Sequence, residues 1–187
     1  MARKSIDELK AQATTDFPDN TAQLITPAKL RNLVLDFLNT VSPFYGVLQI
    51  GPTPVVKQAN IAESIITPWD SVLQSDASQV VCSAATGTVT RTERGVSRIT
   101  FQATAAAPNN AVVTFGINRN GAPTGFVVTV IGLAGADPQG VNLVAIVEST
   151  VGGDVFTATI KATANGVNVN LSNTVLIVEN IPVRSFT

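Results

Sequence analysis

Residues 111–131 read AVVTFGINRNGAPTGFVVTVI, and the fold turns on how this stretch is parsed. Val113, Phe115 and Ile117 fall on one face, two residues apart, the period of a half-buried strand. Asn120-Gly121 follows, the pair favoured in a tight hairpin turn whose two central residues both need positive φ. Beyond it, Phe126-Val127-Val128-Thr129-Val130-Ile131 is apolar on both faces. The spacing predicts antiparallel strands over 111–118 and 124–132, with a surface that must be covered on two sides.

Working outward, the same period predicts strands over 79–83, 86–92, 97–104, 141–148, 154–162, 166–171 and 174–181. Asn165-Gly166 and Gly152-Gly153-Asp154 mark further turns. Strand 141–148 places Val141, Leu143, Ala145 and Val147 on one face, and Val144 and Ile146 on the other. Seven to nine short strands at regular spacing predict a mainly β protein, an antiparallel β-sandwich or jelly roll. A second sheet covers one face of each strand. Another copy of the chain is expected to cover the other, and Phe115, Ile117, Phe126, Val128, Val144 and Ile146 are the predicted subunit interface.

Toward the N-terminus the period changes from two to that of a helix. Ser5 and Glu8 have capping-box spacing ahead of a brief polar helix, and Ala13-Thr14-Thr15 and then Phe17-Pro18-Asp19-Asn20 are expected to break it. Thr26 is an N-cap with Pro27 at the first helical position. Leu30, Leu33, Val34, Phe37, Leu38 and Val41 then recur at helical spacing, and Ser42-Pro43 ends the run. Residues 46–78 open with a cluster of Gly and Pro, which reads as a linker or crossover segment with one or two short strands such as Gly46–Ile50. The predicted organisation is a helical anchoring arm over 1–45, a linker over 46–78 and a β domain over 79–187.

Charge is sparse. Charged residues make up 13% of the 187, and the net charge is −1, against about a quarter charged in an average domain. Residues 79–187 hold only eleven charged side chains. Low net charge favours association, and the lack of a basic patch argues against nucleic-acid binding. No run of 18 apolar residues predicts a membrane span. The N-terminus has no secretory pattern, and Cys82 is the one cysteine. The expectation is assembly in a reducing cytoplasm, and the sequon Asn170-Leu171-Ser172 is read as coincidental.

Signals for chemistry are weak. The chain has no histidine, the commonest general base and zinc ligand. Cys82 lies in an apolar strand and reads as a structural thiol. Asp16, Asp19 and Asn20 lack calcium-loop spacing and read as turn and cap residues. Asp137 and Asp154 read as isolated loop acids, each expected to cost ~0.5–1 kcal/mol on replacement by Asn. Arg91, Arg94, Arg98 and Glu93 around one turn read as a solvated hairpin tip, and Trp69 as a packing anchor. No catalytic, cofactor or metal site is predicted. An enzyme or carbohydrate-binding module would need paired acids or clustered exposed aromatics at one sandwich end.

Two stretches carry a resemblance. Asp16-Phe17-Pro18-Asp19-Asn20, then Leu24-Ile25-Thr26-Pro27-Ala28-Lys29-Leu30-Arg31 and Asp36, resembles a short N-terminal segment that recurs in tailed-bacteriophage virion proteins ahead of fibre, spike or decoration domains. Asn39-Thr40-Val41-Ser42 departs from the Asp-Ser often found there. The stretch Phe115–Gly121, then Gly153-Asp154-Val155-Phe156 and the last strand through Val178-Glu179-Asn180-Ile181, resembles the C1q/tumour-necrosis-factor jelly roll as phages use it. That fold is typically a trimer with one sheet of each subunit facing the threefold axis. The resemblance implies a virion structural protein, assembled in the host cytoplasm: a homotrimeric capsid decoration or cement protein, or alternatively a tail-fibre, tail-knob or baseplate protein. It implies the major capsid protein or another virion protein as partner, anchored through Phe17, Asp19, Asn20, Ile25, Thr26, Pro27, Leu30, Arg31, Val34, Phe37 and Leu38.

Overall fold

The computed structural model describes residues 6–16, 27–41, 44–75 and 79–181. Among these described residues two helices come first, α1 (Ile6–Asp16) and α2 (Pro27–Val41). Twelve strands follow: β1 (Tyr45–Ile50), β2 (Val55–Ala59), β3 (Ser64–Ile65), β4 (Ser71–Gln74), β5 (Val80–Ser83) and β6 (Thr88–Arg91), then β7 (Gly95–Ala106), β8 (Val112–Arg119), β9 (Ala122–Ile131), β10 (Gln139–Ser149), β11 (Asp154–Ala162) and β12 (Val167–Ile181). They form two antiparallel six-stranded sheets. The first has the order β10-β7-β12-β1-β4, with β2 also on β12; the second runs β5-β6-β11-β8-β9, with β3 also on β11. The expected antiparallel sandwich with a short helical segment is what the chain forms.

The core lies between the sheets. Ile99, Phe101, Leu171 and Leu176 face in from the first sheet, and Val113, Phe115, Phe156 and Ile160 from the second, all 2% exposed or less. Phe101 and Phe115 stack across the gap with ring centroids 5.7 Å apart. A Cβ on Gly46 would stand 2.5 Å from Val80 Cγ1 and 2.6 Å from Cys82 Sγ. The second sheet therefore closes on β1 because residue 46 has no side chain.

Two expectations are corrected here. The segment 46–78 is not a linker: it supplies β1 to β4. Strand β1 lies inside its sheet, paired with β12 on one side and β4 on the other, with Leu48 and Ile50 fully buried. The short strand expected at Gly46–Ile50 is β1, and Gly51, Pro52 and Pro54 occupy the turn between β1 and β2. Strand β2 is masked in sequence because an inward position is Lys57, a buried lysine whose ammonium donates to the Pro68 carbonyl at 2.6 Å. The two strands expected at 166–171 and 174–181 are one strand with a bulge. Its register against β7 shifts between Ser172 and Val175, with Asn173 at φ 46°, as an inserted residue requires.

Helix α1 is also longer than expected, reaching Asp16. Thr14 and Thr15 donate to the carbonyls of Lys10 and Ala11, both at 3.0 Å, so their hydroxyls are satisfied inside the helix. Trp69 is buried and donates through Nε1 to the Ile66 carbonyl at 2.6 Å, as its reading as a packing anchor requires.

Candidate assembly surfaces

Helix α2 meets its own chain with the wrong edge for an amphipathic helix. Lys29 and Leu33 are half-buried and Asp36 is 4% exposed; at 100° per residue these three share one edge. The apolar stripe beside them stays open, with Leu30 51%, Val34 46%, Phe37 53% and Leu38 48% exposed. Helix α1 packs on α2, buries Leu9 and ties the pair to the sandwich through a Glu8–Arg94 ion pair. Four open side chains on one stripe are a surface built for a partner. Arg31 is exposed beside the stripe. Of the other predicted anchor residues, Pro27 opens the helix, while Phe17, Asp19, Asn20, Ile25 and Thr26 lie outside the described residues.

The second surface is the edge where β9 and β10 close the two sheets. Of the predicted interface residues, Phe126 is 40%, Val144 45% and Ile146 60% exposed. Val128 is half-buried and packs against the core. Phe115 and Ile117 are corrected: they are 0% and 1% exposed inside a single chain. Their strand turns Val113, Phe115 and Ile117 toward the other sheet, which leaves them nothing to offer a second copy. Phe126 and Ile146 line a groove of about 360 Å³ with Arg119, Pro123 and Glu148. On the outer face of the first sheet the register aligns Val144, Thr100, Ile177 and Val47 in one row. The next row is Ile146, Arg98, Glu179 and Tyr45, where Arg98 and Glu179 form an ion pair.

Charged groups that sequence reasoning placed at the surface hold the sandwich together. Arg91 is 0% exposed. It donates to Ser97 Oγ, to the Arg94 carbonyl at 3.0 Å and to Asn180 Oδ1 at 3.3 Å, and its guanidinium lies 5.6 Å from the Phe44 ring centroid, a cation–π contact. Arg91 is therefore no part of a solvated tip, whereas Arg94 and Arg98 keep side chains 39% and 54% exposed; Arg91 clasps Phe44, the residue just ahead of β1. Asp154 is not isolated either. Its carboxylate is ion-paired with Arg119 at 2.6 Å and accepts from Asn120 Nδ2 at 2.7 Å. Burial alone would raise the Asp154 carboxyl, but Arg119, Ser149 and Asn120 outweigh it and hold it below the usual carboxylate range. The signal that could have found this network is the turn pair Asn120-Gly121 itself, since its Asn needs partners for both ends of its amide.

Chemically the surfaces offer little beyond contact. Burial pushes the Cys82 thiol up, with Ser75 only partly offsetting it, which disfavours the reactive thiolate. Asp137 is exposed in the loop after a short 3-10 turn. Among the described residues no three His, Cys, Asp or Glu side chains group as metal ligands, and no helix is long and apolar enough to cross a membrane.

The comparisons agree with the architecture. No family model matches the chain, and no curated protein does. Among solved structures, murine APRIL at pH 5.0 aligns over 73% of this chain and 99% of its own, at 15% identity and a TM-score of 0.51. The Eiger TNF of S. frugiperda aligns over 75% of this chain and 94% of its own at 11% identity, with a TM-score of 0.47. The sandwich is a jelly roll of the tumour-necrosis-factor type. At this identity the likeness is one of fold.

Proposed function

We propose that this protein is a bacteriophage virion structural protein, a homotrimeric capsid decoration or cement protein. The observation that carries the reading is the orientation of α2, whose apolar stripe is open although the sandwich core closes without it. In this reading the helical arm seats that stripe on the major capsid protein or another virion protein. The sandwiches associate about a threefold axis and draw Phe126, Val144 and Ile146 out of water. The N-terminal resemblance to tailed-phage segments supports the virion location, and the jelly-roll fold supports the trimer. The mechanism is burial of apolar surface across capsomer junctions, which locks the shell against internal pressure. At about 25 cal/mol per Å², an interface of roughly 1,600 Å² has ample gross driving force, from which the costs of association are subtracted. The protein acts by contact and not as an enzyme.

Light scattering on the full chain tests the first half of the proposal: the expected mass is about three times the 19.5 kDa of one chain. A stable monomer at micromolar concentration sinks the trimer. Immunogold labelling of gradient-purified particles tests the second half. Label on the head is expected; label on the tail moves the assignment to a fibre, knob or baseplate protein, and unlabelled particles overturn it.

A further inference from the structure

The sequence contains two Asn-Gly pairs, Asn120-Gly121 and Asn165-Gly166. Both sit in exposed turns between strands, and both glycines have positive φ, 78° and 73°. Asn-Gly is a reactive pair, because glycine has no side chain to keep its backbone nitrogen from the neighbouring side-chain carbonyl. In the reaction the glycine nitrogen bonds to Asn Cγ, the Cγ–Nδ2 bond breaks and ammonia leaves. Water then opens the cyclic imide to aspartate or isoaspartate. The net change is one water consumed and one ammonia released.

The two pairs are held differently. Asn120 is fixed at both ends of its amide. Nδ2, the leaving group, donates to the carboxylate of Asp154 at 2.7 Å, and Oδ1 accepts from the Val155 backbone N–H at 2.8 Å. Its own backbone N–H is tied to the Val155 carbonyl at 2.8 Å. Turning Cγ toward Gly121 breaks the side-chain bonds, one of them charge-assisted, and the product would set a second carboxylate against Asp154. Among the described residues, the ties of the Asn165-Gly166 pair are solvent-exposed and neutral. Its Oδ1 accepts from Ile61 N–H at 3.0 Å, and Gly166 N–H donates to Asn60 Oδ1 at 2.9 Å.

We propose that Asn165-Gly166 is a site of spontaneous deamidation in this protein, and that Asp154 holds the chemically equivalent pair Asn120-Gly121 unreactive. A hydrogen bond to a charged group slows a step that must break it by roughly tenfold or more. Isoaspartate at residue 165 lengthens the backbone by one methylene in the turn between β11 and β12. The β2–β3 turn, which Asn165 and Asn60 tie to it, then loosens as the protein ages.

The test incubates the folded full chain at mildly alkaline pH and follows ammonia loss at each site by peptide mass mapping. Residue 165 is expected to convert at least about tenfold faster than residue 120. In urea, where both pairs are free, the two rates should converge. Asp154→Ala should raise the rate at residue 120 selectively. Equal rates in the folded chain overturn the proposal, as does the same ratio in urea as in buffer. A folded Asp154→Ala variant with an unchanged rate at residue 120 overturns the protective role. If that variant does not fold, the folded-to-urea comparison on the unaltered chain decides.

Discussion

Asp154 shows how far a single side chain departs from what its neighbours in sequence imply. A free loop acid replaced by Asn costs ~0.5–1 kcal/mol, and Asp137 keeps that expectation. Asp154 is 5% exposed at its side chain and paired with Arg119, itself 31% exposed. Removing one partner leaves a partly buried guanidinium uncompensated, so Asp154→Ala should cost about 2–4 kcal/mol, read as a drop in the urea midpoint. The pH dependence follows from the lowered carboxyl. Above the ordinary Asp value of about 3.9 the folded and unfolded chains are both ionised there, and the contribution is complete. As pH falls through that range the unfolded chain takes up the proton first, and stability drops until the folded group protonates as well. The urea midpoints of the native chain and Asp154→Asn should therefore converge in acid, with the gap widening as pH rises through the carboxylate range and levelling off above about pH 5. A constant gap across that range would show that the charge contributes nothing.

At the scale of elements, α2 carries the clearest function. Its stripe is open in the single chain, so changing it touches no core residue of the sandwich. Leu30→Asp with Phe37→Asp should abolish incorporation into particles while leaving the β-sheet circular dichroism and melting temperature unchanged. Incorporation at the native level with both changes removes the anchor role. At the other end of the helix, Phe44 is held by Arg91, and the Asn180 N–H donates to the Phe44 carbonyl at 3.1 Å. Arg91→Met keeps most of the stem volume but leaves Asn180 Oδ1 and Ser97 Oγ without their donor. The expected cost is about 2–3 kcal/mol, with a melting temperature several degrees lower. A variant as stable as the native chain would mean that the cation contributes only packing.

For the whole molecule, the place where the sandwich begins decides which fragment folds. Strand β1 pairs along both edges, and Leu48, Ile50, Ile66 and Trp69 are buried in the common core. Each fully buried large side chain is worth about 1.5–3 kcal/mol, so losing four approaches the whole stability of a domain, about 5–15 kcal/mol. A fragment of residues 44–187 should fold cooperatively, whereas residues 75–187 should not. Amide-proton dispersion in nuclear magnetic resonance spectra separates the two outcomes, and a well-dispersed spectrum from the shorter fragment would contradict the assignment of β1 as an internal strand.

The antiparallel sandwich, its strands from residue 79 onward and the extent of α2 were legible in the chain alone. Each rests on a local rule: alternation of apolar side chains, turn pairs such as Asn120-Gly121, and the Thr26-Pro27 helix start. Local rules also set what the composition lacks, histidine and a cysteine pair above all. What they could not supply was which apolar face meets which layer. Phe115 and Phe126 look alike in sequence, but Phe115 stacks on Phe101 in the core, while Phe126 lies at the open edge because β10 is the last strand of the opposing sheet. Burial of Arg91 and Asp154 was hidden for the same reason. Their partners are Asn180, Ser97, Arg119 and Asn120, residues up to 89 positions away, brought together by the pairing of sheets and not by adjacency in the chain. Period and turn chemistry are properties of neighbouring residues, so the sequence determined most of the strands from residue 79 onward, whereas β2 to β4 and the continuity of β12 came with the structure. Burial, charge pairing and the open stripe of α2 are properties of what lies across a layer, so only the tertiary structure decided them.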